Sequence, residues 1–184
     1  LPPITPLGRL DEQLREDGFA VVDAAGVRQL ADATPPQLQA WESDWDDLPP
    51  DNYLRDGGRY RRRRHASFIV DGQQLAFVAH RAHWQPVSYN ALHGGMERWF
   101  EPVKADLLKD PAWQSVLLGL THIFSGLKPV KTWFVEAHQF RIDTTDGIGR
   151  PTPEGAHRDG VDFVAVFLLD RVGIKGGETR IFNS

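Results

Sequence analysis

Polar and apolar side chains alternate with a period of two along residues 132–142, which predicts a β-strand. The alternation places Gln139 and Arg141 on one face of this strand, and Glu136 and His138 on the other. Both faces therefore carry polar groups among apolar ones. Because a buried polar group is costly without a partner, we expect the strand to line a hydrated pocket, with an internal ion-pair network as the alternative. The pattern is compatible with either face turned inward.

A second apolar pattern lies nearer the end of the chain. Residues 161–169 are almost continuously apolar and follow a turn-rich segment, so they predict a buried strand, and residues 179–182 predict another. Apolar strand edges attract partners. We therefore expect a chain that ended at residue 184 to form a homodimer or aggregate through these strands.

Helical spacing prevails near the start of the chain. Leu7, Leu10 and Leu14 recur on one side of a helix that Thr5 can cap and that Gly18 ends. A short strand-like segment, residues 19–22, follows this helix. The N-terminal region therefore predicts an amphipathic helix that packs against a neighbouring layer.

Two further helical regions are predicted. Residues 26–48 form two short helices separated by Pro35 and Pro36. A longer helix begins at Asp110, whose side chain can cap it, and ends at Gly126.

These elements predict an α+β fold in a single domain over residues 1–184. We expect residues 1–128 to be rich in helices and a β-core to begin at about residue 129. The sheet is expected to be of the jelly-roll or cupin-like kind, with the N-terminal helices packed on it.

The composition excludes several classes of function. The 184-residue chain has a formal net charge of −4 and no cysteine, which argues against a nucleic-acid binder and excludes disulfide or thiolate chemistry. No apolar run approaches the length of a membrane span and no secretory signal is evident, so we expect a cytoplasmic protein without membrane contact.

A basic run and a pair of histidines attract attention but favour ordinary interpretations. We interpret residues 59–65, which include five arginines, as a solvated face or as ion-pair partners of nearby aspartates. A site that contacts an acidic substrate is the alternative. His80 and His83 have a spacing found in zinc sites, but no acidic cluster adjoins them, so we interpret them as surface or core histidines.

The strongest chemical signal is the pair His157 and Asp159. Two residues separated by one position on an extended backbone point to the same side, so both can bind one metal ion. The pair lies at the mouth of the predicted strand 161–169. A His-x-Asp pair at the edge of a β-barrel begins the two-histidine, one-carboxylate triad that binds Fe(II) with open coordination positions.

The order of several motifs resembles one known family. Residues 136–142, 153–164 and 176–181, preceded by Gln85 and residues 90–100, resemble the bacterial 2-oxoglutarate/Fe(II)-dependent dioxygenases. That family includes free-L-isoleucine hydroxylases and BsmA-type biofilm and stress proteins. The resemblance covers about residues 55–184, and the order of its motifs is more specific than any one of them.

The resemblance implies a double-stranded β-helix core that uses Fe(II) and 2-oxoglutarate to hydroxylate a small polar molecule with O2, in particular a free L-amino acid. His157 and Asp159 would be metal ligands. In the family, a second His ligand and an Arg that binds 2-oxoglutarate follow downstream. No histidine follows Asp159 here, so we expect the second His ligand and the last strands beyond residue 184.

Other residues are candidates for binding the cofactor or the substrate. Arg141 can hold a carboxylate through its planar fork, and Gln139 lies on the same face. Glu136 and His138 on the opposite face, and Asn90 beside a glycine pair, complete the candidate set.

Two alternatives remain open from the sequence. The first is a non-catalytic binding or regulatory domain on a cupin-like barrel, related to biofilm or stress, because a fold does not dictate a function. The second is a cupin-like metalloenzyme that uses zinc or nickel.

Overall fold

The computed structural model of the protein describes residues 3–145, 147–153 and 155–182. Six α-helices and three β-strands form in these residues, with 3₁₀ turns at Leu7–Arg9 and Ala40–Glu42. The helices are α1 (Leu10–Asp17), α2 (Ala24–Ala31), α3 (Pro35–Gln39), α4 (Ser43–Asp46), α5 (Ala105–Lys109) and α6 (Pro111–Leu127). The strands are β1 (Arg61–Asp71), β2 (Gln74–Phe77) and β3 (Thr132–Ile142).

The strands form one antiparallel sheet in the order β2-β1-β3. A tight turn at Gly72, whose φ is +58°, joins β1 to β2. Between β1 and β3, His65 is opposite His138 and Ser67 is opposite Glu136. Because directly opposed residues project to the same side of a sheet, this register gathers polar side chains from both strands on one face.

β3 has the predicted bounds, but the β-core begins earlier than predicted. β1 and β2 lie within residues 1–128, where we expected helices, so the predicted start of the sheet at about residue 129 is wrong for these two strands. Buried arginines conceal the period of β1. Arg61 and Arg63 point into the protein and pair with Asp51, at 2.8 Å and 3.7 Å from its Oδ2.

The helices cover one face of the sheet. Trp133 of β3 packs against Phe124 of α6 and donates from Nε1 to Ser125 Oγ at 2.8 Å. α2 packs on α6 where Gly119 removes the side chain, since a Cβ there would lie 2.6 Å from Leu30 Cδ1. The helices therefore shield the Trp133 side of β3. The Glu136 side faces away from them.

Three predicted helix ends agree closely with the structure, but two other details are wrong: α1 begins at Leu10 without a cap from Thr5, and Pro35 and Pro36 open α3 instead of separating two helices. Gly18 ends α1 with a φ of +74°, and the Asp110 side chain accepts a hydrogen bond from the Trp113 amide at 3.0 Å. α6 continues to Leu127, one residue beyond the predicted end at Gly126. Among the described residues, no helix is both long and apolar enough to cross a membrane.

The predicted C-terminal strands do not form in the described part of the chain. Residues 161–169 and 179–182 pair with none of β1–β3, and their apolar side chains are largely exposed, with Val166 at 81%. A strand is completed by hydrogen bonds from a neighbour, which an apolar run alone does not provide. The predicted strand at residues 19–22 is also absent, although the Thr5 amide donates to the Val21 carbonyl at 2.7 Å. The described residues therefore hold an antiparallel sheet with helices on one face, without the complete double-stranded β-helix.

Candidate metal centres

A cluster of histidines surrounds a glutamate on the face of the sheet that the helices leave uncovered. It consists of His65 from β1, His83 from the segment after β2, and Glu136 and His138 from β3. Each residue offers one potential ligand atom, a ring nitrogen or a carboxylate oxygen, and these four atoms all lie within 4.8 Å of one another. We call these four residues the His–Glu cluster.

Backbone structure positions each member of the His–Glu cluster. The register of β1 against β3 brings His65 beside His138 and Glu136. His83 is fixed by a bridge to Arg98, in which each backbone amide donates to the other residue's carbonyl at 2.9 and 3.0 Å. Since His65 and His83 are only 1% and 6% exposed, little freedom remains to these two side chains.

The Glu136 carboxylate is the centre of the His–Glu cluster. His65 Nε2 lies 3.1 Å from Oε1, and His83 Nδ1 lies 3.1 Å from Oε1 and 3.2 Å from Oε2. Burial by itself raises the pKa of Glu136, but the hydrogen bonds from the two histidines outweigh it and lower the pKa to about 2. Glu136 is therefore a carboxylate at neutral pH.

Two histidine rings of the cluster, His65 and His138, favour their neutral form. Burial lowers the pKa of His65, against the opposing effect of Glu136. Burial, followed by the nearby Arg63 guanidinium, holds the pKa of His138 well below its usual range. Neutral imidazoles and an ionised carboxylate are the protonation states in which these groups bind metal ions.

Arg63 defines the tautomer of His138. Its Nη2 donates to His138 Nδ1 at 2.7 Å, and because arginine has no acceptor, the ring proton of neutral His138 resides on Nε2. The guanidinium lies 3.8 Å from the ring centre of Phe100 and 4.4 Å from that of Phe140. Burial lowers the pKa of Arg63 to about 9, which leaves it charged at neutral pH.

The predicted ligands His157 and Asp159 form a separate pair. His157 Nδ1 donates to the Gly155 carbonyl at 2.8 Å, so in the neutral ring the lone pair is on Nε2. That lone pair faces Asp159 Oδ1 at 3.3 Å. Two acceptors so close repel each other unless a proton or a cation lies between them. Ligands about 2.1 Å from one ion and separated by this distance subtend about 100°, which fits a metal ion.

A chain of amides supports the Asp159 carboxylate. Gln85 Nε2 lies 3.5 Å from Asp159 Oδ1. The other end of this amide is fixed, because Gln85 Oε1 accepts from Arg98 Nη2 at 2.8 Å and from Asn90 Nδ2 at 3.1 Å. Asn90 is in turn held by the His93 amide, which donates to its Oδ1 at 2.7 Å. The donor end of Gln85 is thereby directed at Asp159.

The ligand loop, residues 155–160, approaches the same segment at Gly160. This glycine has a φ of +72°, and a Cβ there would lie 2.5 Å from Tyr89 Cδ2. A side chain at this position would therefore meet both backbone strain and an aromatic ring. Glu154, which belongs to the same motif, lies outside the described residues.

The remaining candidates from the sequence lie in two places. Glu136 and His138 are in the His–Glu cluster, and Asn90 lies behind Gln85. Arg141 points towards α4, with Nη1 3.2 Å from the Asp46 carbonyl and 3.4 Å from its carboxylate. Gln139 is 1% exposed on that same side of β3. The structure thus separates the two candidate faces, and the roles of these residues in binding remain predictions.

Two members of the His–Glu cluster were not among the sequence candidates. His65 ends the basic run, and recognition of β1 would have placed it opposite His138. We interpreted His83 as an ordinary histidine for want of an acidic neighbour, but Glu136, 53 positions away in the chain, provides one. Asp51 likewise replaces the aspartates near residue 45 as the partner of the buried arginines.

Comparison with known proteins places this fold and these motifs in a family. Residues 42–184 match the family model of the 2OG-Fe dioxygenases. Among solved structures, a BsmA homologue from Methylobium petroleophilum PM1 is 46% identical, with a TM-score of 0.80 over 88% of this chain and 66% of its own. IDO from Bacillus thuringiensis is 13% identical with a TM-score of 0.54, over 76% of this chain and 56% of its own, and shows the fold alone. A comparison with curated proteins found no match.

The chain therefore spans 66% and 56% of the lengths of these two relatives. Among the described residues, no third His, Asp or Glu completes a ligand group with His157 and Asp159, whereas the His–Glu cluster is such a group. The family match covers the β-strands, the His–Glu cluster and the ligand loop alike. The chain belongs to the 2OG-Fe dioxygenase family, whose cofactors are Fe(II) and 2-oxoglutarate.

Proposed function

We propose that the protein is an Fe(II)- and 2-oxoglutarate-dependent hydroxylase that acts on a small polar molecule, with free L-amino acids as the substrate class. Membership of the family supports the reaction type. The observation that carries the proposal is the convergence of the His157 Nε2 lone pair and the Asp159 carboxylate at 3.3 Å.

In this proposal His157 and Asp159 hold the iron, and a histidine beyond residue 184 completes the ligand set. Bound Fe(II), with 2-oxoglutarate and O2, supplies the oxidation of a C–H bond. The protein's own groups keep the ligands in register. The Gly155 carbonyl holds the proton of His157 on Nδ1, and Gln85 donates to Asp159. Hydrogen bonds of this kind fix the tautomer and the direction of metal ligands.

Asp162 does not share this supporting role. Its carboxylate is paired with Lys128 Nζ at 2.5 Å on the surface, three residues beyond Asp159. An acidic side chain in the same segment but outside the proposed site is a suitable control for mutagenesis.

The test measures succinate formed from 2-oxoglutarate by the product of the full coding sequence, with Fe(II), O2 and a panel of L-amino acids. We expect at least one amino acid to raise the rate above that with 2-oxoglutarate alone and to gain one oxygen atom in its mass. His157→Ala and Asp159→Ala should abolish both signals, since two remaining ligands bind Fe(II) weakly. Asp162→Asn should retain them. If both signals persisted in His157→Ala and Asp159→Ala, these residues would not be the metal ligands. If the wild-type protein showed no turnover, the proposed hydroxylase function would be refuted.

A further inference from the structure

We propose that His65, His83 and Glu136 bind a divalent metal ion of the zinc type at a second site, separate from the His157 and Asp159 pair. This site does not depend on the proposed hydroxylase activity. It uses residues from β1, β3 and the bridge at His83, none of which belongs to the ligand loop.

The geometry of the three side chains fits a shared ion. His65 Nε2 and His83 Nδ1 each lie 3.1 Å from the same oxygen, Glu136 Oε1. Ligands at about 2.1 Å from a metal ion and about 90–100° apart are separated by about this distance. The donor atoms all lie within 4.8 Å of one another, so an ion can bind between them once the side chains adjust.

The chemical types of the three ligands also suit a zinc ion. Two imidazoles and one carboxylate form the protein ligands of one known class of zinc site, in which a water molecule occupies the fourth position. Both histidines are buried, and Ser67 Oγ lies 3.5 Å from His65 Nε2. Surrounding polar groups of this kind can hold a bound water or orient a ligand.

His138 contributes to the wall of this site and is not a ligand through Nδ1. Its ring stacks on His65 at 4.8 Å and meets His83 edge-on at 4.7 Å. Its Nδ1 atom is already the acceptor for Arg63 at 2.7 Å. The site therefore has three protein ligands and an open position.

The charges around the site limit the affinity without excluding binding. Glu136 is the anionic ligand, and the buried Arg63 cation next to His138 opposes a second positive charge. Asp51 offsets this repulsion in part, since its Oδ2 atom lies 3.7 Å from Arg63 Nη1 and 2.8 Å from Arg61 Nε. We therefore expect weaker binding than at a structural zinc site with thiolate ligands.

A hydrogen-bond network is the competing explanation. The same two 3.1 Å contacts are satisfied if each histidine donates one N–H to Glu136 and no ion binds. The two explanations differ in what a metal titration shows.

The experiment uses the protein with His157→Ala and Asp159→Ala, which removes the iron pair, after treatment with a chelator. Co(II) is titrated and the visible absorption recorded, and Zn(II) is then added as a competitor. We expect one equivalent of Co(II) to bind with the spectrum of a four- or five-coordinate site, and Zn(II) to displace it. Failure of this double variant to bind either ion would overturn the second site.

Variants within the site identify the ligands. Glu136→Gln keeps the shape and removes the anionic donor, and His83→Asn removes one imidazole; each should weaken Co(II) binding at least ten-fold. His80→Asn is the matched control, because His80 lies in the same segment but contacts the Phe100 carbonyl instead. Circular dichroism verifies the fold of each variant. If the double variant bound Co(II) equally well with and without Glu136→Gln, the assignment of Glu136 as a ligand would be refuted.

A second measurement does not require these substitutions to fold. In the NMR spectrum of the double variant, Zn(II) should shift the ring resonances of His65 and His83 while those of His80 and His122 stay in place. Shifts confined to His80 or His122 would place the ion elsewhere and overturn the proposal.

Discussion

Gly160→Ala tests how the ligand loop is held against the rest of the protein. Gly160 follows Asp159 directly, its φ is +72°, and a Cβ there would lie 2.5 Å from Tyr89 Cδ2 and 2.7 Å from Cε2. The substitution therefore adds backbone strain and a steric clash beside a proposed metal ligand. We expect the substitution to weaken metal binding and to leave the melting temperature nearly unchanged, because residues 155–182 form no strand with the sheet.

The free-energy cost of the backbone strain can be separated from that of the clash with Tyr89. A non-glycine residue in the left-handed region costs about 1–2 kcal/mol. Forcing a methyl group against a packed ring costs about 1–3 kcal/mol more, since either the ring or the loop must move. Gly155→Ala provides the comparison, because Gly155 has a φ of +75° in the same loop but an added Cβ meets nothing within 4 Å.

The assay is the affinity of the product of the full coding sequence for Co(II) at the His157 and Asp159 pair, measured in a Glu136→Gln, His83→Asn background that removes two ligands of the second site. Relative to Gly155→Ala, Gly160→Ala should bind about 5- to 150-fold more weakly, which corresponds to the clash alone. Tyr89→Ala should restore most of that difference in the double mutant. Equal affinities for the two glycine variants, or no recovery with Tyr89→Ala, would show that Tyr89 does not position the loop.

Three further predictions concern other parts of the protein. Arg141→Lys should lower 2-oxoglutarate or substrate affinity if Arg141 binds a carboxylate; lower stability with both affinities unchanged would instead identify it as the ion-pair partner of Asp46, 3.4 Å away. Asp110→Ala should reduce the free energy of unfolding by about 1 kcal/mol through loss of the α6 cap without changing Co(II) affinity, and an unchanged denaturation midpoint would contradict the capping role. Burial, followed by the hydrogen bond to Asp56, raises the pKa of Tyr60 from 10.0 to about 12, so the native state retains this proton longer than the unfolded chain and stability falls as pH rises through that interval. Tyr60→Phe should flatten this alkaline decline in chemical denaturation, and an equally steep decline would refute the assignment.

Local patterns predicted the elements whose interactions are local. The two-residue alternation of β3 and the capped start of α6 depend on neighbours within a few positions in the chain, and both form as predicted. Gly18 ends α1 for the same reason, because its left-handed conformation is a property of a single residue. The pair His157 and Asp159 was also evident from spacing, since residues separated by one position in an extended segment project to one side.

Elements that depend on distant partners were not predictable in this way. β1 contains arginines at inward positions, which we interpreted as a solvated face or as ion-pair partners of other aspartates, whereas their partner is Asp51. The apolar run at residues 161–169 satisfies the composition of a strand, but a strand exists only when another backbone pairs with it.

The sequence by itself determined α1, α6, β3, the likeness to the family and the proximity of His157 and Asp159, because each rests on residues close together in the chain. The tertiary structure alone decided which face of β3 the helices cover and that His65, His83 and Glu136 meet there. His65 and His83 are 18 positions apart in the chain and Glu136 follows 53 positions later, and only the pairing of β1 with β3 and the bridge at His83 bring them within hydrogen-bonding distance. A metal site or a buried ion pair assembled from separate elements has no local period, so its members are recognised only when the packing of the chain is known.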